Sequence, residues 1–443
     1  MALVETRTKY GRIRGLDQGS YTVFRGIPYA KPPVGELRFC APKEPEVYEG
    51  LYEADHFCAA CPQERHDPNS FYGKEFHLDP EFDAEQSEDC LYLNIWTPAK
   101  TQEEKLPVAF WIHGGAFLHG YSHEMEFDGK EYCRRGVILV TINYRVGALG
   151  FLAHPWLSAE NEQGISGNYG ILDQIAALSW VRNNITAFGG DPDNITIFGQ
   201  SAGSMSVQTL VSSPLTKDWI SKAILQSGGG YQNGFRVSIP LFEAEKTGEE
   251  FVKRCGVSDL EELRKIPAEE LLEKQILMMQ EYGTLFFTPN IDGVLLTDDL
   301  NRLLEQGGVK DIPYLIGSTK DDIGVSREDE KAGEYGSLYK GCIAWSEMQE
   351  QLGRKPSYVY YFTRDLQGDE AGAFHSSELW YMFGTLVRSW RPKSDGDYYL
   401  SVRMLDAWTN FMKTGDPNGE GVSGWRPCRR EDPYVQILDT DRK

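Results

Sequence analysis

Two hydrophobic periods alternate along the chain. Short apolar runs of strand character recur at Leu91–Trp96, Val108–His113, Asn194–Phe198, Ala223–Gln226, Tyr314–Gly317 and Tyr358–Thr363. The run Val137–Ile142 is apolar at nearly every position, the pattern of a strand buried on both faces of a parallel sheet. Between the runs the period lengthens. Ile171, Leu172, Ile175, Leu178 and Val181 fall on one side of a helix over about 169–188, which Gly189-Gly190-Asp191-Pro192 stops. Further helices are expected through much of 241–280 and near 298–306, 336–352, 377–389 and 398–413. Strands alternating with helices predict an α/β chain, a mostly parallel doubly wound sheet with helices on both faces. Before the first of these strands, 10–30 reads as a small antiparallel ribbon, Gly11–Gly15 then Val23–Ile27. Residues 53–89 are polar and irregular and read as a long surface loop. No repeat or low-complexity linker interrupts the pattern, so residues 1–443 are expected to form one domain.

Charge narrows the partners. With 45 basic and 66 acidic residues the formal charge is −21, which argues against nucleic acid and against anionic membrane surfaces. The N-terminal residues have no apolar segment of the secretory kind, and Val137–Ile142 is far too short to span a bilayer. The chain therefore reads as cytoplasmic. Eight cysteines in 443 residues do not make a disulfide framework, and Cys58-Ala59-Ala60-Cys61 is a lone pair without the second pair a zinc site needs.

The chemistry centres on Asn194-Ile195-Thr196-Ile197-Phe198-Gly199-Gln200-Ser201-Ala202-Gly203, a strand running into Gly-x-Ser-x-Gly and a small-residue helix start. This is the nucleophile-elbow pattern of α/β-hydrolases. A serine on such a turn stands exposed above a helix N-terminus, where positive partial charge favours a developing oxyanion. It needs a base, and the base needs an acid, in the chain order Ser, Asp or Glu, His. Of eight histidines only His375 follows Ser201, which makes it the expected base. Asp321 and Asp322 follow the strand Tyr314–Gly317, where active-site groups gather in parallel sheets, and spacing does not separate them. His113-Gly114-Gly115-Ala116-Phe117 follows another strand and has the form of an oxyanion loop, with Ala202 supplying a further N–H. His119 and His123 have helical metal-ligand spacing but no evident third ligand, so no metal is assigned.

Across most of its length the chain resembles the type-B carboxylesterases, the group that includes cholinesterases and bacterial para-nitrobenzyl esterases. The resemblance rests on Phe24–Ala30, Ser87–Trp96, His113–Phe117, Asn143–Gly147, Gly167–Gln174, Phe188–Gly203 and Gly415–Asn418. It implies an α/β-hydrolase catalytic domain and a serine esterase with no cofactor or metal, acting on small or polymer-linked esters. It also implies Asp322 as the acid, and the N–H groups of Gly115, Ala116 and Ala202 as oxyanion donors, with Gly114 shaping the turn. Arg25 with Glu88 and Arg145 with Asp173 match structural ion pairs, and Ser227 matches a second serine near the histidine. Cys61 and Cys90 match a disulfide pair of secreted relatives, though thiols are the expectation here.

Departures from the family narrow the substrate. Residues 61–89 contain no tryptophan, and Gln200 stands where choline-specific members have Glu, so choline esters are not expected. In the acyl-side stretch Gly283–Pro289, Gly283 and Leu285 replace aromatics, implying a roomier pocket with Leu285 and Phe287 in its wall. Phe117, Phe151, Trp380 and Phe383 are expected to add apolar surface, and Gln200 to meet substrate. Asp322 and His375 are only 53 positions apart, which implies a shortened cap after Gly324, a charged connector Arg327–Lys331 and a more open mouth. The same scaffold also carries amidase, thioesterase or peptidase chemistry, and adhesion members keep the fold without the triad.

Overall fold

The computed structural model describes residues 3–216, 218–235, 238–325 and 334–440. In chain order its strands are β1 Glu5–Thr8, β2 Gly11–Arg14, β3 Leu16–Asp17, β4 Thr22–Pro28, β5 Leu51–Glu53, β6 Tyr92–Thr97, β7 Leu106–Ile112 and β8 Ile138–Ile142. They continue with β9 Gly190–Gln200, β10 Lys222–Gln226, β11 Ile239–Pro240, β12 Asn290–Ile291, β13 Tyr314–Thr319, β14 Tyr358–Phe362 and β15 Gln436–Leu438. Ten of them form one sheet in the order β15-β14-β13-β10-β9-β7-β8-β6-β4-β3. From β15 to β8 every pairing is parallel, and the β8–β6, β6–β4 and β4–β3 pairings are antiparallel.

Alternation along each strand divides the interior into two cores. Val108, Phe110, Ile112, Ile195 and Ile197 face one side, under helices Tyr169–Asn184 and Ala202–Ser212. Ala109, Trp111, Phe198, Leu315 and Tyr360 face the other, under helix Asp395–Thr414 through Met404, Trp408 and Phe411. All five residues of β8 are buried, as a strand covered on both faces must be.

The N-terminal region differs from the expected ribbon. β2 pairs with β1 across a tight hairpin, in a small separate sheet that also takes β5. β4 instead enters the main sheet beside β6. The helix expected over 377–389 is also shorter: Leu379–Met382 ends before Gly384, whose φ of +70° breaks the helix, and a single turn Leu386–Arg388 follows.

Residues 53–89 are more than a surface loop. They carry a short helix, α1 Phe71–Phe76, and bury Ala54, Ala60, Cys61, Phe76 and Ala84. Glu75, only 1% exposed, is held by Trp380 Nε1 (2.9 Å), Trp390 Nε1 (3.0 Å) and Arg391 Nε (2.7 Å). A buried carboxylate is tolerable with that many donors. Its partners come from more than 300 residues away, so local composition reads as polar loop. Arg327–Lys331 lies outside the described residues.

Candidate active site

β9 ends at Gln200 and the next helix starts at Ala202, so Ser201 alone makes the turn. Its backbone sits at φ 57°, ψ −126°, strained for a residue with a Cβ. The surroundings hold it there: Ser201 N–H donates to Gln226 O (2.9 Å), and Ser201 O accepts from Met205 N–H (3.0 Å). A Cβ on Gly203 would lie 2.1 Å from Ile112 O, so only glycine lets this helix start pass β7.

The loop after β7 turns on three consecutive left-handed residues, Gly115 (φ 97°), Ala116 (φ 56°) and Phe117 (φ 62°). Leu118 and His119 N–H both return to Gly115 O, leaving the N–H groups of Gly115 and Ala116 out of the loop's own hydrogen bonds. Ala202 N–H opens its helix and has no intrahelical acceptor. Gly114 packs on the elbow, where a Cβ would come within 2.8 Å of Gln200 O. His113 stacks on Tyr144 and donates from Nδ1 to Gly114 O (2.9 Å), and burial pushes it down to about 4, so it stays neutral.

β13 and the loop bearing His375 meet through the neighbouring aspartates. Asp321 exchanges backbone hydrogen bonds with the 373–374 segment, and its Oδ2 accepts from Ala373 N–H (2.7 Å). Asp322 turns inward: its Oδ1 lies 2.5 Å from His375 Nδ1 and accepts from Ile323 N–H (2.8 Å), while Oδ2 accepts from Thr319 N–H (3.0 Å). Burial alone would raise this carboxyl, but the His375 charge and hydrogen bond, the Ser227 hydroxyl and the Thr319 N–H leave it below its ordinary value. His375 Nε2 is 3.2 Å from Gln200 Nε2. An amide nitrogen only donates, so Nε2 is the acceptor and the proton sits on Nδ1, facing Asp322. Gln200 therefore touches the imidazole as well as the cavity wall.

Ser201 stands between two cavities. One, about 420 Å³, has Phe117, Phe151, Leu285, Phe286 and Phe287 in its wall, so the expected acyl-side residues are brought together. The other, about 400 Å³, is bounded by Gln200, His375, the oxyanion-type loop and α1. Trp380 and Phe383 line neither. Both are fully buried, Trp380 against Phe76 and Phe383 against Trp111. The Arg25–Glu88 pairing is also absent. Glu88 pairs with Arg38, and Arg25 lies over the Phe57 ring at 4.5 Å. Arg145 and Asp173 do pair, at 2.7 Å and wholly buried. Cys61 and Cys90 are buried free thiols in hydrogen-bonding contact, which together with burial pushes Cys90 up. His123 stacks on Phe57 while His119 faces the second cavity, so the two rings do not converge on one ion.

Several residues at the site were not singled out from the sequence. His66, Phe71, Tyr72 and His77 of the 53–89 segment wall the second cavity, and the cluster of histidines and aromatics in a polar stretch was the available signal. Glu378, buried behind the triad positions, accepts from Gln226 Nε2 (3.3 Å). Burial, then the Asp322 charge, push it up to about 7.

Comparison with known proteins bears on this geometry. The carboxylesterase family model matches residues 2–337 and 335–443, two pieces that meet between Asp322 and His375. The para-nitrobenzyl esterase of Bacillus subtilis (strain 168) is 35% identical over 98% of this chain and 94% of its own length. That alignment, 483 positions, is longer than the 443-residue chain, so the relative has residues with no counterpart here. A solved PNB esterase superposes with a TM-score of 0.85 at 31% identity, covering 98% of this chain and 96% of the other. A Geobacillus stearothermophilus carboxylesterase gives 0.82 at 33%, covering 99% and 96%.

Proposed function

The chain belongs to the carboxylesterase family, with its α/β-hydrolase fold, and hydrolyses carboxylic esters; on that premise we propose that it does so through an acyl-enzyme on Ser201. The single observation that carries this reading is the buried contact of His375 Nδ1 with Asp322 Oδ1, 2.5 Å, on a cavity wall shared with Ser201. In this reading Ser201 Oγ attacks the ester carbonyl and its proton passes to His375 Nε2. The N–H groups of Gly115, Ala116 and Ala202 receive the oxyanion, each such donor contributing roughly 3–4 kcal/mol to the transition state. Collapse breaks the bond to the alcohol oxygen, which leaves with the His375 proton. Asp322 holds the tautomer and stabilises the imidazolium throughout. Water then attacks the acyl-enzyme with His375 again as base, releasing the acid and restoring Ser201. The apolar cavity of Phe117, Leu285 and Phe287 takes the acyl group, and the shortened span after Gly324 admits bulky or polymer-linked esters.

A fluorophosphonate probe tests Ser201 directly, and hydrolysis of matched esters, thioesters and amides ranks the chemistry. Labelling at Ser201, with esters fastest, is expected. Labelling with amides preferred would move the reading to an amidase, and activity retained in Ser201→Ala would end it.

A further inference from the structure

The cavity bounded by Gln200, His375 and α1 has a wall that cleavage of an ester bond does not itself use. His66 and His77 stack at 4.1 Å, and His119 meets His66 edge-on at 4.7 Å. Burial pushes all three down, His77 and His119 to about 3. Each ring is therefore neutral near pH 7, with one N–H to donate and one bare nitrogen to accept. Among the described residues none of their ring nitrogens hydrogen-bonds to another protein group. Glu124 and Glu126 stand in the same wall, and their carboxyls hydrogen-bond to each other. No lysine or arginine stands among the residues lining this cavity. Phe71, Tyr72 and Phe76 add ring surface, with Phe71 and Tyr72 left exposed.

His66 and His77 also line a neighbouring cavity of about 320 Å³, which Ser201 and His375 do not reach. Gln63, Arg65, Asp83 and Gln86 are in its wall. Arg65 and Asp83 have no ion-pair partner among the described residues, so both are uncommitted there.

The chemistry of the first wall selects among alcohols. A fatty or aryl alcohol would take water from the imidazole nitrogens and return no hydrogen bond. An anionic alcohol finds no cation in this cavity, and the paired carboxyls already satisfy each other. What fits is an uncharged ligand whose groups donate and accept at once, as hydroxyls do, on a ring with apolar C–H faces for Phe71 and Tyr72. We propose that the alcohol carried by the ester is a carbohydrate. The ester-bearing sugar sits against His119 and α1, and the next sugar of the chain crosses the His66–His77 pair into the neighbouring cavity. This rests on the esterase reading of Ser201. Hydrolysis breaks the acyl–oxygen bond and returns the sugar hydroxyl with the His375 proton, so every glycosidic bond stays intact. Arg65, Asp83 and Gln86 then meet the hydroxyls of the second sugar.

The test compares methyl 6-O-benzoyl-β-D-glucopyranoside with its hydroxyl-free counterpart, cyclohexylmethyl benzoate, each rate normalised to alkaline hydrolysis of the same ester. The wild type is expected to favour the sugar ester by about tenfold or more in kcat/KM, because a site built for hydroxyls is left unpaired by the analogue without them. That ratio should fall several-fold in His77→Phe, which keeps a ring in the stack and removes its nitrogens. If His77→Phe does not fold, methyl β-cellobioside should inhibit wild-type hydrolysis of p-nitrophenyl acetate more strongly than cyclohexylmethanol does at equal concentration. Placing the benzoyl group on the terminal glucose of methyl β-cellobioside should raise kcat/KM again, and Arg65→Ala with Asp83→Ala should remove that gain. No preference for the sugar ester, or weaker inhibition by the cellobioside, would overturn the carbohydrate assignment while p-nitrophenyl acetate turnover left the esterase standing. No gain from the second sugar would overturn its place in the neighbouring cavity. Absence of Ser201-dependent hydrolysis of all these esters, p-nitrophenyl acetate included, would overturn the esterase reading itself.

Discussion

Asp321 and Asp322 are adjacent in the chain and employed in opposite ways. Asp321 spends its carboxylate on Ala373 N–H, which fixes the loop that carries the histidine. Asp322 spends its own on the histidine itself. Asp322→Asn should therefore lower kcat by about ten-thousand-fold with the fold intact, because the amide favours the wrong imidazole tautomer. Asp321→Asn should lose far less, and steady-state kinetics on both variants makes the comparison. Gln200, donating to His375 Nε2, sets a second expectation. Gln200→Glu puts a negative charge where it favours the imidazolium, so the acid limb of the kcat/KM profile should move to higher pH. Behind them Glu378, raised to about 7, binds its proton in the folded chain at pH values where the unfolded chain has lost it. Folding stability from this group therefore falls as pH rises from about 4.5 toward about 7. Urea denaturation across that range should show the decline in wild type and a flatter dependence in Glu378→Gln.

At the scale of elements, the elbow works because β9, β7 and the following helix are pressed together closely enough to hold Ser201 in a strained turn. The buried Arg145–Asp173 pair pins the segment after β8 to helix Tyr169–Asn184, with Asp173 also accepting from Arg145 N–H (3.0 Å). Asp173→Asn would strand the guanidinium in the interior, and a loss of about 3–5 kcal/mol by urea denaturation is expected. How much of this was legible beforehand follows from where each partner lies. Strands such as β8 announce themselves because both faces are buried, and the elbow because its pattern is local. The 53–89 segment does not, since Glu75 is stabilised by Trp380, Trp390 and Arg391 far along the chain. The same holds for Arg38 in place of Arg25 opposite Glu88: one arginine reaches the carboxylate and the other meets an aromatic ring, a choice the tertiary fold makes. Asp322 over Asp321 needed the family pattern at the level of sequence, because the two differ only in which way the backbone after β13 turns them.

At the scale of the molecule, the sheet presents the ends of β7, β9 and β13 at one edge, and the cavities open to either side of Ser201. No helix among the described residues is long and apolar enough to cross a membrane. The short span between Asp322 and His375, where the family model divides, should show as tolerance of large substrates. Lengthening the acyl chain or thickening the alcohol of a p-nitrophenyl or alkyl ester series should lower kcat/KM only gradually, and a sharp cut-off beyond acetyl would contradict the roomier pocket. The central claim, a covalent acyl group on Ser201, is reached most directly by mass spectrometry of the enzyme quenched during turnover of a p-nitrophenyl ester. The acyl mass should appear on the peptide containing Ser201 and vanish in Ser201→Ala together with turnover. Turnover persisting in Ser201→Ala, with no acyl group on that peptide in the wild type, would contradict it.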